Sequence, residues 1–444
     1  MIFSHVLVEY LILIPLRATP APIPIPMLNR HIAPRLDEAL ADTPVVLLNG
    51  ARQTGKSTLV QDHAARRGMR YLTLDDAAVL AAARSDAAGF VQGLAGPVVI
   101  DEVQRAPDLF VPIKVAVDQR REPGRFLLTG SANVLLLPRL AESLAGRMQI
   151  LPLWPLSAAE RQAQPDLNRV DWLADGGPQP LGQLSATREE LVDMLVRGGF
   201  PEAAQRATAA RRRAWFDAYL QAVMQRDVQE LARIEQLHEL PNLLKLLATR
   251  SGGLLNFAEL SRAGGLQQST LKRYFTLLET LFLVHRLQPW ERNASKRLVK
   301  APKLYIPDSG LLAHLAGQDD TSLAAAPGLP GALVESWVLG ELLRHLAFSD
   351  RGLTLWHYRT QAGQEVDFVL ESRQGELTGI EVKASATLGA NDFKGLRHLQ
   401  ETEPERFRLG YVLYAGQEVL PFGAGLWAVP LAMWWVALAE SGRA

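Results

Sequence analysis

Hydrophobic positions change their period along this chain, and the changes divide it. From about Thr43, short unbroken apolar runs ("TPVVLLN", "RYLTLD", "GPVVIDE", "RFLLTGS") alternate with helical stretches such as "KSTLVQDHAARRG" and "FVPIKVAVDQRR". Strands without polar alternation, set between helices, predict a parallel sheet covered on both faces, so an α/β domain is expected over residues 27–160. Between about Gln162 and Ala186 the pattern lapses into a loop carrying "DGGPQPLG". From Thr187 to about Leu247 it is almost wholly helical, which makes 161–240 a loop and helical region.

The period then changes again. "LLNFAELSRAGGLQQSTLKRYFTLLETLFLVHRLQPW" reads as a helix, a Gly-containing turn, a second helix and an apolar strand, with polar Gln267, Gln268, Ser269, Thr270, Lys272 and Arg273 near the start of the second helix. That order predicts a winged helix-turn-helix over 241–315, with Arg292, Lys296, Arg297, Lys300 and Lys303 on or beside the wing. The alternative is a small helical bundle with a solvated basic loop. "GQDDTSLAAAPGLPG" marks a linker over 316–331. Residues 332–444 then read as a separate α/β unit: a helix, the strands "TLWHYRT", "EVDFVLES" and "LTGIEVKA", a helix around "NDFKGLRHLQET", and the strand "FRLGYVLYA".

The opening "MIFSHVLVEYLILIPLRATPAPIPIP" is apolar but broken by Glu9. It lacks the basic start of an export signal and the roughly 20 apolar residues of a membrane helix, so neither export nor a membrane span is expected. Met27 opens an ordinary amphipathic pattern, and residues 1–26 are expected to be a disordered or mis-annotated extension. Across the 444 residues, 48% are hydrophobic, enough for several cores. Lys+Arg and Asp+Glu both number 47, so any nucleic-acid contact has to be argued from local patches. With no cysteine in the chain, disulfides, thiolate zinc sites and cysteine nucleophiles are excluded, and a cytoplasmic location fits.

Candidate chemistry begins at "GARQTGKST", which fits G-x-x-x-x-G-K-[ST] directly after an apolar strand and before a helix. Gly50, Ala51, Arg52, Gln53, Thr54, Gly55, Lys56, Ser57 and Thr58 would cradle ATP. Their backbone N–H groups would face phosphate oxygens, Lys56 would offset the β/γ charge, and the Ser57 hydroxyl would ligate Mg²⁺. "GPVVIDEVQ" supplies Asp101 to hold the metal and Glu102 to orient an attacking water, a pairing suited to hydrolysis. Ser131 and Asn133 in "LLTGSAN" are placed to sense the γ-phosphate. Arg147 in "ESLAGRMQ" sits in a turn where an arginine finger would act, in its own subunit or a neighbouring one.

These segments carry a resemblance. Residues from about Leu28 to Leu156 resemble the AAA-type ATPases found as the front half of prokaryotic proteins with a domain of unknown function behind them, the AAA_14 plus DUF4143 arrangement. The matching stretches are "LLNGARQTGKSTL", "LTLDD", "VVIDEVQRAPDLF", "FLLTGSANVLLL" and "SLAGR", extended by "GGFPEA", "RDVQELARI", "LYIPDSGLLAHL", "VESWVLGEL" and "GQEVDFVL". The resemblance implies an ATPase and leaves its biological task open.

A second constellation lies in the back half. Glu335 is expected on a helix, Asp367 at the start of one strand, and Glu381 and Lys383 two apart on the next, sharing a face. This ordering resembles the PD-(D/E)xK nuclease core. Asp367 and Glu381 would bind Mg²⁺, Glu335 would complete the shell, and Lys383 would position water or stabilise the phosphorane charge. Arg359 and Gln361 are further candidate contacts, whereas His357 reads as a strand residue rather than a ligand. The expectation is ATP hydrolysis coupled to action on DNA. An ATP-dependent DNA-binding switch with an inactive nuclease-like domain, and an ATP-driven protein remodeler, stay open. AAA-type sites often complete themselves across subunits, which adds a homo-oligomer to the expected partners.

Overall fold

The computed structural model describes residues 29–131, 144–165, 167–177, 182–184, 186–228, 238–292 and 300–438. Residues 1–26, Asn133, Lys296 and Arg297 lie outside the described residues. Among the described residues no helix is long and apolar enough to cross a membrane.

The front unit is a five-stranded, all-parallel sheet of β1 (Val45–Asn49), β2 (Arg70–Thr73), β3 (Val98–Asp101), β4 (Phe126–Gly130) and β5 (Met148–Pro152), in the spatial order β2-β3-β4-β1-β5. Alternate residues of each central strand serve opposite faces. Leu47, Ile100 and Leu128 meet Phe110 and Ile113 on one side, while Val46, Leu48 and Leu127 meet Leu36 and Val60 on the other. The helix Phe110–Gln119 covers the first face, and the helices Ala33–Asp42 and Lys56–Arg67 cover the second. The runs of β1, β3 and β4 are therefore those of strands buried on both sides, whereas β2, at the edge of the sheet, is only partly buried.

The middle region holds the helices Arg188–Arg197, Ala209–Ala222, Glu239–Ala248, Phe257–Gly264 and Gln268–Thr280, followed by an antiparallel hairpin of β6 (His285–Leu287) and β7 (Lys303–Tyr305). The back unit begins with the helix Gly331–Leu346. It continues with β8 (Thr354–Arg359), β9 (Glu365–Glu371), β10 (Leu377–Lys383), the helix Lys394–Thr402, β11 (Phe407–Tyr414), β12 (Leu420–Pro421) and β13 (Leu426–Pro430). They form one mixed sheet in the order β12-β13-β11-β10-β9-β8, with β10 and β11 parallel.

Two segments differ from expectation. The stretch read as a loop between Gln162 and Ala186 contains the helix Arg169–Ala174, capped by Asn168. Its buried Arg169 donates to the Met433 carbonyl at 2.7 Å, fastening the segment to the back unit. The expected linker contains the helix Asp320–Ala325, capped by Asp319 and packed on Arg188–Arg197. Six-residue helices carry too little periodicity to be read against a turn-rich background.

The motifs "GGFPEA" and "IPDSG" turn out to face each other: a Cβ on Gly310 would come within 2.7 Å of the Arg197 carbonyl oxygen. Beside that contact runs a buried polar network. Arg344 pairs with Asp308 at 3.3 Å and Glu341 at 3.1 Å, and it donates to the Pro155 carbonyl at 3.0 Å. Glu341 accepts from Ala158 N–H at 3.1 Å, and Asp308 from Gly199 N–H at 2.8 Å. Removing one partner leaves buried charge uncompensated, so Arg344→Met is expected to cost about 3 kcal/mol in chemical denaturation. A loss within experimental error would show that the network carries no net stability.

Candidate functional site

The C-terminal edge of the front sheet collects the first site. After β1 the chain turns at Gly50, where a Cβ would come within 2.1 Å of the Leu153 carbonyl oxygen at the end of β5. It enters the helix Lys56–Arg67 through Gly55 at φ +93°, a left-handed conformation suited to glycine. Among the described residues, the N–H groups of Gln53, Thr54 and Gly55 donate to no protein acceptor. Together with the positive end of the following helix they form a ready anion cradle. Lys56 is buried, and its Nζ donates to the carbonyls of Gly50 at 3.0 Å and Ala51 at 2.7 Å. An ammonium has three N–H groups, so a third remains for a phosphate oxygen. Burial lowers the Lys56 pKa to about 8, against the pull of Glu102 and Asp101.

Asp101, at the end of β3, accepts from Ser57 Oγ at 3.2 Å, from the Tyr71 hydroxyl at 2.7 Å and from the Thr129 hydroxyl. Burial and the bond to Asp101 push the Tyr71 pKa up to about 12, so the phenol stays a donor. Glu102 takes φ +60°, an uncommon conformation for a side chain of its size, and its N–H donates to Thr129 Oγ1 at 3.0 Å. The Glu102 carboxylate accepts from Ser131 Oγ at 2.8 and 3.0 Å and from the Gln104 amide. Ser131 is therefore bonded to the Glu102 carboxylate itself. These residues suit a nucleoside triphosphate with Mg²⁺: Ser57 and Asp101 lie side by side as oxygen ligands, next to a loop of free N–H donors and one lysine.

Among these participants Tyr71, Thr129 and Arg30 were not singled out in the sequence. Arg30 donates to the Thr54 carbonyl at 2.7 Å and the Trp154 carbonyl at 2.8 Å, and pairs with Glu160 at 3.0 Å, bracing the loop from behind. Arg52 pairs with Asp227 of the middle region at 2.6 Å. Thr58 faces outward from the first helical turn.

Arg147 requires a correction to any role in its own subunit. Its carbonyl accepts from Val45 N–H at 3.3 Å, which puts it at the start of β1 rather than at the loop beyond Asn49. Five strand residues separate those edges by roughly 17 Å. There Arg147 pairs with Asp118 at 3.1 Å and holds that carboxyl below its usual range.

The second constellation assembles in the back unit around an unexpected centre. Lys303, expected on or beside the wing, is 2% exposed, and its ammonium lies between Glu335 at 2.9 Å, Glu365 at 2.6 Å and Asp367 at 3.0 Å. Of the three side chains expected to surround a metal, Glu335 and Asp367 share this ammonium. No group of three or more His, Asp or Glu side chains among the described residues is arranged to hold a metal ion. Glu381 pairs with Lys383 at 2.7 Å, and Asp367 accepts from Val382 N–H at 3.0 Å. Burial and the Asp367 charge raise Glu335 to about 7 and Glu381 to about 8. Burial alone would lower Lys303, but Asp367, Glu335 and Glu365 outweigh it and hold its pKa above the ordinary value.

The remaining candidates are peripheral. Arg359 pairs with Glu365 at 2.8 Å, Gln361 is exposed in the turn after β8, and Lys300 pairs with Glu291 at 2.5 Å. His357 lies within β8, and burial lowers its pKa to about 3.

The AAA domain family matches residues 42–162, a domain of unknown function (DUF8612) matches 188–322, and a second (DUF4143) matches 330–434. Uncharacterized proteins of Mycobacterium bovis and Mycobacterium tuberculosis are each 33% identical over 404 residues, covering 90% of this chain and 83% of the relative. Among solved structures the chain is similar to a Walker-type ATPase of Pyrococcus abyssi, at 14% identity and a TM-score of 0.38, over 64% of this chain and 94% of that one.

Proposed function

Since the chain belongs to the family of AAA-type P-loop ATPases with a C-terminal DUF4143 region, we propose that its ATP hydrolysis drives a switch acting on duplex DNA. In this reading residues 241–315 are a winged helix-turn-helix, and the back unit is a PD-(D/E)xK nuclease-like module. The backbone of Gln53 to Gly55 and Lys56 bind the triphosphate, and Ser57 with Asp101 hold Mg²⁺, which neutralises charge on the β- and γ-phosphates when bound. Glu102 orients the attacking water and takes its proton once Ser131 lets the carboxylate go.

One observation carries the DNA reading. The helix Gln268–Thr280 buries Leu271, Tyr274, Phe275 and Leu278 and turns Gln267, Gln268, Ser269, Lys272 and Arg273 to solvent. Amides suited to a base edge thus stand beside cations suited to phosphates, at the start of the second helix of a helix-turn-helix. Fluorescence anisotropy on a labelled duplex tests it. Replacing Lys272 and Arg273 with alanine together is expected to weaken binding and reduce the salt slope by roughly one to two. ATP turnover without any duplex binding at low salt would favour the protein remodeler instead. The nuclease-like reading is supported by the order helix, β8, β9, β10, helix, β11, with Asp367 on β9 and Glu381 and Lys383 on β10.

The coupling contact in this proposal is Trp154. It follows Leu153, whose carbonyl abuts Gly50, and its ring packs edge-on against Phe282 at 5.5 Å and His285 of β6 at 6.2 Å. Trp154→Ala is expected to keep basal ATP turnover and lose stimulation by DNA, a coupling on the order of 1–3 kcal/mol. Unchanged stimulation would remove Trp154 from the route.

A further inference from the structure

The cation at the centre of the back unit's carboxylates comes from a different part of the chain. Lys303 belongs to β7 of the hairpin, whereas Glu335 lies on the helix Gly331–Leu346, and Glu365 and Asp367 lie on β9. Its three carboxylate contacts, at 2.9, 2.6 and 3.0 Å, match the three N–H groups of an ammonium. Tyr305, two residues on and therefore on the same face of β7, donates its hydroxyl to Glu335 Oε1 at 2.6 Å. The hairpin thus closes the cluster with two side chains. Among the described residues Glu381 Oε2 is buried with no hydrogen-bond partner.

We propose that Lys303 is the resident cation of this cluster, inserted by the β6–β7 hairpin where a divalent ion would sit, so that the back unit takes such an ion only when the hairpin withdraws. The exclusion is steric and electrostatic. Mg²⁺ requires carboxylate oxygens at about 2.0–2.1 Å in a near-octahedral shell. An ammonium already within hydrogen-bond reach of all three carboxylates occupies that shell and repels a second cation. With Lys303 removed, Glu335, Glu365 and Asp367 face one another without the charge that holds them, and the cluster demands a replacement. Withdrawal has to break the two backbone bonds that join the chain just after β6 to β8, from Trp290 N–H to the His357 carbonyl and from His357 N–H to the Gln288 carbonyl. The carboxylates stay behind on longer elements.

The test uses the full chain without nucleotide or DNA, so its outcome is independent of the DNA reading. Thermal unfolding is followed in EDTA and in excess Mn²⁺, and bound Mn²⁺ is counted by electron paramagnetic resonance. The parent is expected to unfold at the same temperature in both conditions. Lys303→Met is expected to unfold earlier in EDTA, to recover roughly 5 °C or more with Mn²⁺, and to gain a Mn²⁺ site that adding Asp367→Asn abolishes. If Lys303→Met does not fold, Lys303→Met with Glu365→Gln lowers the uncompensated charge and is held to the same outcomes. An Asp367-dependent Mn²⁺ site in the parent as tight as in the variant overturns the proposal. So does a folded variant that gains none.

Discussion

Lys56→Ala is expected to lower ATP turnover about 10²–10³-fold while leaving the apo fold at least as stable as the parent. The first half follows from charge: among the described residues Lys56 is the one lysine whose Nζ sits within the cradle, bonded to the Gly50 and Ala51 carbonyls. The second half follows from burial. The Lys56 pKa falls from 10.5 to about 8 in the folded chain, so protonated Lys56 opposes folding. Between about pH 8 and 10.5 the unfolded chain binds more protons than the native one, so this group makes stability rise with pH. Its penalty, about 3 kcal/mol at most, is fully present below pH 8. Denaturation at pH 7 should therefore show no loss in the variant, and the parent's ATP affinity should fall as pH rises past 8. Parental turnover in the variant would reject the phosphate role of Lys56.

In an assembly that brings Arg147 to a neighbour's phosphate loop, Arg147→Ala is expected to lower turnover by about 10³-fold. Within one chain Arg147 stands at the edge of the sheet opposite the phosphate loop, held by an exposed pair with Asp118 that carries little weight against recruitment elsewhere. An arginine so placed reaches a phosphate only in a neighbour. Mixing Arg147→Ala with Lys56→Ala should then restore turnover, since one variant keeps the loop and the other keeps the arginine. Mixtures without activity, or an Arg147→Ala variant with normal turnover, would limit this residue to its pairing with Asp118.

What could be read in the sequence was whatever one period or one short motif determines. The strands Val45–Asn49 and Val98–Asp101 are apolar because both their faces are covered, and the Gly50–Ser57 spacing is set by the loop itself. Arg30, Tyr71 and Thr129 were invisible for the opposite reason. Each acts through a contact made only when distant elements meet, and single polar residues at the ends of elements have many uses. The burial of Lys303 was not legible because it ends a basic run, "SKRLVKAPK", that looks solvated as a block. The usable signal was the alternation of Lys303 and Tyr305 on one face of a short strand. That pattern points a cation and a phenol the same way, toward a partner that only the fold supplies.

The joint between front and back halves has a consequence for how such proteins diverge. In its buried network the side chains of Asp308, Glu341 and Arg344 bond on the front side to main chain: Gly199 N–H, Ala158 N–H and the Pro155 carbonyl. Main-chain groups persist through substitution, so the residues carrying these three groups are free to drift as long as Asn168, Arg169 and Asp171, whose side chains also reach the back half, are kept, whereas an insertion or deletion there would break the bonds. Chimeras that join a relative's front half to this back half should therefore tolerate low sequence identity and fail on changes of loop length.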